Sequence, residues 1–282
     1  TGSRAEAESR VETRLTPEGA GGSPCKNGRA VMPTNRLVIT AVDSVRDPWF
    51  RGAFSLYSRV FPPSEQIDRE YFQNVFEEKR LGLLAPFNFH FLVAHQRGRV
   101  VGFISGSYLA IVNLGFVGYL AVAPDNSGRQ VGSRLRRRLV DVMQRDARAA
   151  GHDDLMGMMG EVEEGNPWLE RMRRHGALAF DLDYFQPSAD GTDVVPLVLY
   201  LQPVGGRRHL RSLKVSAMRR VLYAIYRRLY RIRFPLKLPE FQRMFRQLEG
   251  RTRVGARPPR VQTSPAVRVP ATRTRRRVRR AR

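Results

Sequence analysis

Apolar residues recur along this chain at two spacings, which predict strands and helices between residues 36 and 203. Runs of β-branched and aromatic residues predict strands, and apolar residues three and four apart predict helices. In chain order the predicted elements are a strand (37–42), two helices (47–61 and 64–79), a hairpin (89–96 and 100–108), a strand (116–123), a helix ending near 150, a strand (155–162), a helix (166–175) and a strand (194–201). The strand–helix–strand crossover after the hairpin allows a parallel pair, so a mixed α/β sheet flanked by helices is expected.

One strand, loop and helix predict a binding site for an anion. The apolar run 116–123 stops at Pro124, and the loop 127–133 carries Gly128 and Gly132 just before the helix. The first N–H groups of a helix have no acceptor inside it, and they lie at the positive end of its dipole. Glycine lets the backbone approach a phosphate because it has no Cβ. The segment is therefore typical of a phosphate cradle.

This segment resembles the coenzyme A pyrophosphate loop of the GNAT (N-acetyltransferase) superfamily. That loop follows a strand ending Leu-x-Val-x-Pro, as residues 120–124 do here, and typically reads Arg/Gln-x-x-Gly-x-Gly/Ala. Gly132 matches the last glycine, whereas Ser127 stands at the first basic position and Gln130 at the first glycine. The order of elements, β-α-α-β-β-β-α-β-α-β, is also the one that the superfamily uses. The resemblance covers roughly residues 36–203 and implies a GNAT-like fold with a mixed central sheet.

The resemblance also implies an activity and its ligands. It implies an N-acetyltransferase that moves an acetyl group from acetyl-CoA to an amine by direct attack in a ternary complex. No metal is expected, because the single cysteine and the spacing of the five histidines fit no metal site. The acceptor class stays open between small-molecule and peptide amines. Pantetheine contacts are implied for Leu120, Ala121 and Val122, and pyrophosphate contacts for Gly128, Arg129, Val131, Gly132 and Ser133.

Carboxylates at the end of the strand 155–162 are the candidate catalytic groups. Glu161 and Glu163 alternate onto one face, where acceptor amines approach in this superfamily, and they can accept a proton or bind an ammonium group. The alternative is a solvated strand end. Glu65 and Tyr184 are candidates for the acceptor site, although Tyr184 can equally be a packing residue. In the family alignment Met172 takes the position of a tyrosine that protonates the leaving thiolate, and Met cannot donate a proton.

The positive charge is concentrated at one end of the chain. Of 49 basic and 26 acidic residues, 25 and 2 respectively follow residue 204, so this end carries the whole net charge of +23. Four regions are predicted: a disordered N-terminal segment (1–34), the GNAT domain (35–204), a basic helical extension (205–250) and a disordered Arg-rich tail (251–282). An amphipathic helix at 207–233 is expected to pack its apolar stripe onto the domain. The alternative is a helix that lies on an anionic membrane or on nucleic acid.

The remaining features concern partners and compartment. The tail can bind polyanions without reading sequence, and the chain holds no apolar run long enough for a transmembrane segment. The single cysteine, Cys25, favours a reducing cytoplasm. Residues 1–31, before Met32, are interpreted as a dispensable leader or a mis-assigned start. The alternative function is a catalytically degenerate GNAT module that binds coenzyme A or nothing and is anchored through its basic end.

Overall fold

The computed structural model describes residues 36–187, 194–205 and 210–257. The strands are β1 (Val38–Ala41), β2 (Asn88–Gln96), β3 (Arg99–Leu109), β4 (Leu114–Val122), β5 (Gly157–Val162), β6 (Leu178–Ala179), β7 (Tyr184–Pro187), β8 (Val194–Pro203), β9 (Ser212–Lys214) and β10 (Arg253–Gly255). The helices are α1 (Pro48–Val60), α2 (Arg69–Arg80), α3 (Val131–Ala149), α4 (Pro167–Arg174), α5 (Val215–Ala224) and α6 (Pro239–Arg246). The main sheet has the order β1-β2-β3-β4-β5-β8-β6, and β7 also pairs with β8.

This architecture is the GNAT-like mixed α/β fold that the element order predicts. The predicted strands and helices of residues 36–203 are all present, with ends that differ by a few residues. The two short strands β6 and β7 were not predicted. The predicted second helix is divided, because Pro63–Glu65 forms a separate 3-10 turn before α2 begins at Arg69.

Helices cover both faces of the sheet, and alternating side chains on the strands separate two cores. On one face, α1 and α2 pack against Phe91 and Phe103. On the other face, α3 packs against Leu92 and Ile104, the neighbouring residues of the same strands. The start of α1 is fixed locally, because the Asp47 carboxylate accepts the Trp49 N–H at 2.7 Å, a cap that contributes about 1 kcal/mol.

Strands β4 and β5 separate part-way along their length, and this opening positions the site. They pair in parallel only between Leu114–Phe116 and Gly157–Met159. Beyond Phe116, β4 keeps its hydrogen bonds to β3, while β5 pairs with β8 through Val162. A cleft therefore opens between the later halves of the two strands, next to the loop that leads into α3.

The C-terminal extension packs onto the domain, as predicted, but the helix expected at 207–233 is shorter and irregular. The helix α5 begins at Val215, because the preceding residues form β9, and it ends in a π-helical turn at Ile225–Leu229. The apolar stripe of α5 is buried in one cluster with Phe116 and Leu199 of the sheet. The interpretation that this stripe packs onto the domain is confirmed.

The predicted disordered tail, 251–282, needs a correction at its start. Residues 253–255 form β10, which pairs with β9 of the extension. The side chain of Arg257 lies 3.1 Å from the Asp183 carboxylate. The remaining tail, 258–282, and the N-terminal segment lie outside the described residues. Within the described ranges, no helix combines the length and the apolar character that a membrane crossing needs.

Candidate active site

The loop before α3 ends in a helix N-terminus that is open to an anion. Gly128 and Gln130 both have left-handed backbones, with φ of +77° and +58°, which turn the chain sharply into α3. The first helical hydrogen bond runs from the Arg134 N–H to the Gln130 carbonyl at 3.0 Å. The N–H groups of Val131–Ser133 therefore precede the internal ladder, and the Gln130 side chain does not cap them. These donors and the helix dipole favour a negatively charged ligand at this point.

A cavity of about 440 Å³ connects this loop with the cleft between β4 and β5. Its walls also include Asn166 and Trp168 at the start of α4. Six of the eight residues predicted to contact the cofactor line it: Leu120, Val122, Gly128, Val131, Gly132 and Ser133.

Two of the predicted cofactor residues do not line the cavity. The side chain of Ala121 is buried with the aromatic core on the opposite face of the sheet, because successive strand residues alternate. Arg129 is exposed on the loop. The contacts predicted between pantetheine and Leu120, Ala121 and Val122 are backbone contacts. The position of the Ala121 side chain therefore does not test them, and they stay a prediction.

Glu161 reaches the same cavity and is held by two tyrosines. The hydroxyl of Tyr184 donates to Oε1 at 2.5 Å, and the hydroxyl of Tyr230 lies 2.6 Å from both carboxylate oxygens. Burial raises the pKa of the Glu161 carboxyl from 4.5 to about 7, although both hydrogen bonds act to lower it. Glu161 is thus a carboxylate that can exchange a proton near neutral pH.

The other residues predicted for catalysis or for the acceptor site do not line this cavity. Glu163 is exposed just beyond the end of β5. Partial burial and then the negative charge of Glu163 raise the pKa of Glu65. The carbonyl of Glu65 accepts the Tyr119 hydroxyl at 2.8 Å, which fixes the 3-10 turn against β4. Tyr184 lies behind Glu161 rather than on the cavity wall.

Met172 is a core residue. Its side chain is buried among Leu169, Ala179 and Tyr200. It therefore supplies no proton donor at the position where the family pattern has tyrosine. Among the described residues, no group of three or more His, Cys, Asp or Glu side chains is arranged to hold a metal ion.

Arg136 and Tyr230 belong to the site, and no sequence pattern pointed to either. Arg136 lines the cavity and is only 8% exposed. Its guanidinium donates to the Gln202 amide oxygen, and its Cζ lies 5.6 Å from the Trp168 ring centroid. Its Nη1 atom has no hydrogen-bond partner in the described part of the chain. Arg136 stands beside three other arginines in the sequence, and Tyr230 lies 69 residues from Glu161. No pattern in the neighbouring sequence distinguishes Arg136 or Tyr230 from residues on the surface.

The family comparison identifies the part of the chain that builds the loop and the cleft. A model described as the acetyltransferase (GNAT) family matches residues 50–159. Residues 50–159 form a GNAT acetyltransferase domain. The matched range includes β2 to β4, the loop before α3, and α3 itself. Glu161 lies just after it, and the tyrosines that contact Glu161 lie further along the chain.

Solved structures resemble this chain to different degrees, and the first of them shares its fold. A Bacteroides thetaiotaomicron protein assigned as a GNAT-family acetyltransferase has 18% identity and a TM-score of 0.52, over 70% of this chain and 99% of that chain. A Salmonella typhimurium protein assigned as an acetyltransferase, with its cofactor acetyl-CoA, has 17% identity and a TM-score of 0.41, over 60% and 95%. The Escherichia coli ribosomal-protein-S18-alanine N-acetyltransferase has 16% identity and a TM-score of 0.38, over 61% and 97%. No curated protein matches the sequence significantly.

Proposed function

We propose that this protein is an N-acetyltransferase that transfers an acetyl group from acetyl-CoA to an amine within a ternary complex. One observation carries the proposal: a single cavity joins the open N-terminus of α3 to the Glu161 carboxylate. The first feature suits a phosphorylated acetyl donor, and the second suits an amine that must lose a proton. The GNAT acetyltransferase domain supports acetyl transfer as the reaction class.

The residues of the loop fit the pyrophosphate of acetyl-CoA. A Cβ added at Gly132 would meet only Val122 Cγ2, at 3.5 Å, so the space above the helix N-terminus is open to a ligand. Gly128 adds no side chain to the cavity mouth, and the N–H groups of Val131–Ser133 supply donors. The separated edge of β4 offers backbone groups to pantetheine. Acetyl-CoA supplies the activated acetyl group when it is bound.

Glu161 is the group that we expect to accept the proton of the acceptor amine. An amine is mostly protonated at neutral pH and must lose a proton to become a nucleophile. A carboxylate whose pKa is about 7 matches this task, because it is substantially ionised at neutral pH and still basic. Glu65 and Glu163 add negative charge nearby, which favours the approach of a cationic acceptor.

The test combines acetyl-CoA binding with acetyl transfer in the full chain. Calorimetry measures binding, and release of the coenzyme A thiol measures turnover with a panel of polyamines, aminoglycosides and short peptides that have free N-termini. Glu161→Gln should bind acetyl-CoA like the wild type but lose at least about 100-fold in kcat. Gly132→Asp should lose binding, because it places bulk and negative charge at the phosphate position.

Three other results would argue against the proposal. Unchanged affinity in Gly132→Asp would place the acetyl donor elsewhere. Full activity in Glu161→Gln would remove Glu161 as the base. Binding by the wild type without turnover of any amine would favour the degenerate module.

A further inference from the structure

Tyr230 contacts Glu161 from outside the segment that the family comparison covers. Its hydroxyl lies 2.6 Å from each oxygen of Glu161 and 3.1 Å from the Tyr184 hydroxyl. The matched segment ends at residue 159, whereas Tyr230 follows α5 in the C-terminal extension. The candidate base, which follows the matched segment by two residues on the same strand β5, is therefore held in part by the C-terminal extension.

The extension fixes the position of Tyr230 through several contacts. The helix α5 is anchored by its buried stripe, and the π-helical turn after it ends at Tyr230, whose N–H donates to the Ile225 carbonyl at 3.2 Å. The ring of Tyr226 meets that of Tyr230 edge-on at 5.5 Å, and the Tyr226 hydroxyl donates to the Phe185 carbonyl. A π-helical turn shifts the residues after it relative to an α-helix, and such turns occur often at functional sites.

The next residue attaches the same turn to the other side of the domain. The Arg231 guanidinium makes two hydrogen bonds to the Glu78 carboxylate, at 2.9 and 2.7 Å. It also lies 5.1 Å from the ring centroid of Tyr71, whose hydroxyl donates to the Leu229 carbonyl at 3.4 Å. The turn is thus held between α5 and α2, so Tyr230 cannot move away from Glu161 without breaking these contacts.

The placement of Tyr230 behind the carboxylate indicates how it acts. Among the described residues, the cavity wall includes Glu161 but neither Tyr184 nor Tyr230. A carboxylate has about four acceptor positions, so two hydroxyl donors leave room for a proton that arrives from the cavity. Tyr230 can orient Glu161 and stabilise its ionised form without touching a substrate.

We infer that Tyr230 is a positioning residue for Glu161 and that the C-terminal extension completes the active site of the GNAT domain. The catalytic meaning of this inference rests on the proposed function, in which Glu161 is the base. The hydrogen-bond contact itself does not depend on that function. The titratable and charged groups around Glu161 are Tyr184, Tyr226 and Tyr230, and Arg136 and Arg171 line the same cavity.

The test compares Tyr230→Phe with Tyr223→Phe in the full chain. Tyr223 is 41% exposed on α5 and provides a matched removal of a hydroxyl. Carbon-13 NMR of labelled glutamate carboxyls, with Glu161 assigned from Glu161→Gln, measures the titration of Glu161 without any substrate. Removal of the Tyr230 donor should move its midpoint up by about one pH unit, because the charged form loses a hydrogen bond. Tyr223→Phe should leave the midpoint unchanged.

Kinetics give a second readout and separate the inference from the proposed function. The acidic limb of the kcat/KM profile should move up by the same amount in Tyr230→Phe, so kcat/KM falls about tenfold on that limb, while acetyl-CoA affinity stays constant. An unchanged Glu161 midpoint would overturn the inference. A shifted midpoint in a protein that acetylates no amine would instead overturn the proposed function and leave the Tyr230 contact standing.

The wild type provides a readout that does not depend on how Tyr230→Phe folds. A short hydrogen bond to a carboxylate moves the hydroxyl proton resonance of Tyr230 downfield, and Glu161→Gln should return it upfield. Absence of a downfield resonance in the wild type would also overturn the inference.

Discussion

At the residue scale, the loop before α3 departs from the family pattern at two residues, Ser127 and Gln130. Gln130 occupies the position of the first glycine, and its φ of +58° is the left-handed conformation that glycine adopts without steric cost. A residue with a Cβ therefore takes the left-handed conformation at this position, at a steric cost that glycine avoids. Ser127, at the position of the first basic residue, is exposed and lines the cavity mouth. The backbone N–H groups at the start of α3 do not depend on these side chains, so they are still available to an anion.

Ionisation of the buried Glu161 carboxyl should lower the stability of the fold, although the ionised form is the one that can accept a proton. Its pKa of about 7 exceeds the 4.5 of an unburied glutamate, so the folded state binds this proton more tightly than the unfolded state. The resulting stabilisation is complete at low pH and is lost as the pH rises from 4.5 through 7. The pKa difference between 4.5 and about 7 corresponds to about 3 kcal/mol in the free energy of unfolding. Glutamine cannot ionise, so Glu161→Gln should stabilise the fold more at pH 8 than at pH 5, by about 2 kcal/mol.

Urea unfolding of the wild type and Glu161→Gln at the two pH values measures this difference. Ile111→Val, at a side chain that is 61% exposed and does not titrate, is the control and should have the same small effect at both pH values. An equal effect of Glu161→Gln at both pH values would mean that the carboxyl is not buried as the structure shows.

At the element scale, the extension and the GNAT domain share one core. Leu222 of α5 is fully buried in the cluster that contains Phe116 of β4 and Leu199 of β8. Leu222→Ala should lower the free energy of unfolding of the whole described unit by about 3 kcal/mol, because it leaves a cavity in this shared core. We expect one cooperative transition in urea, measured by circular dichroism and by tryptophan fluorescence from Trp49 and Trp168.

A matched substitution on the same helix is Arg220→Ala, whose side chain is exposed. It should change the free energy of unfolding by less than about 0.5 kcal/mol. A separate early transition in Leu222→Ala, in which circular dichroism changes before tryptophan fluorescence, would show that the extension unfolds independently of the domain.

The elements that the sequence predicted are those with strong periodicity. The helix α3 and the hairpin β2–β3 extend over many residues with regular apolar spacing, and both were predicted near their observed ends. Strands such as β6, β9 and β10 contain two or three residues, too few for any period to emerge. The π-helical turn after α5 likewise has no signature in the order of its residues.

At the scale of the whole molecule, charge and fold occupy different parts of the chain. The first 204 residues are balanced, with 24 basic and 24 acidic residues, so the net charge of +23 belongs to the remainder. Residues 258–282 contain 9 arginines and no acidic residue. Removing 258–282 should weaken binding to a short duplex DNA and reduce the salt dependence of that binding. The log–log slope should fall by about 0.9 for each phosphate that the truncated chain no longer neutralises.

Fluorescence anisotropy over a series of salt concentrations measures this change, and thermal unfolding provides the control. The truncated chain should keep the melting temperature of the full chain, because the removed residues follow β10 and the shared core. If DNA binding were undiminished after truncation, the polyanion site would lie on the basic surface of the extension rather than in residues 258–282.

The sequence by itself determined the order of the long elements, the strand–loop–helix segment that carries the family resemblance, and Glu161 and Tyr184 as candidates. These follow from local periodicity and short motifs, which neighbouring residues encode. Only the tertiary structure decided that β4 and β5 separate, that Arg136 is buried, and that Tyr184 and Tyr230, 23 and 69 residues from Glu161, hold the same carboxylate. Such contacts depend on how distant elements pack, because the spacing of residues within one element carries no information about which other element it will meet.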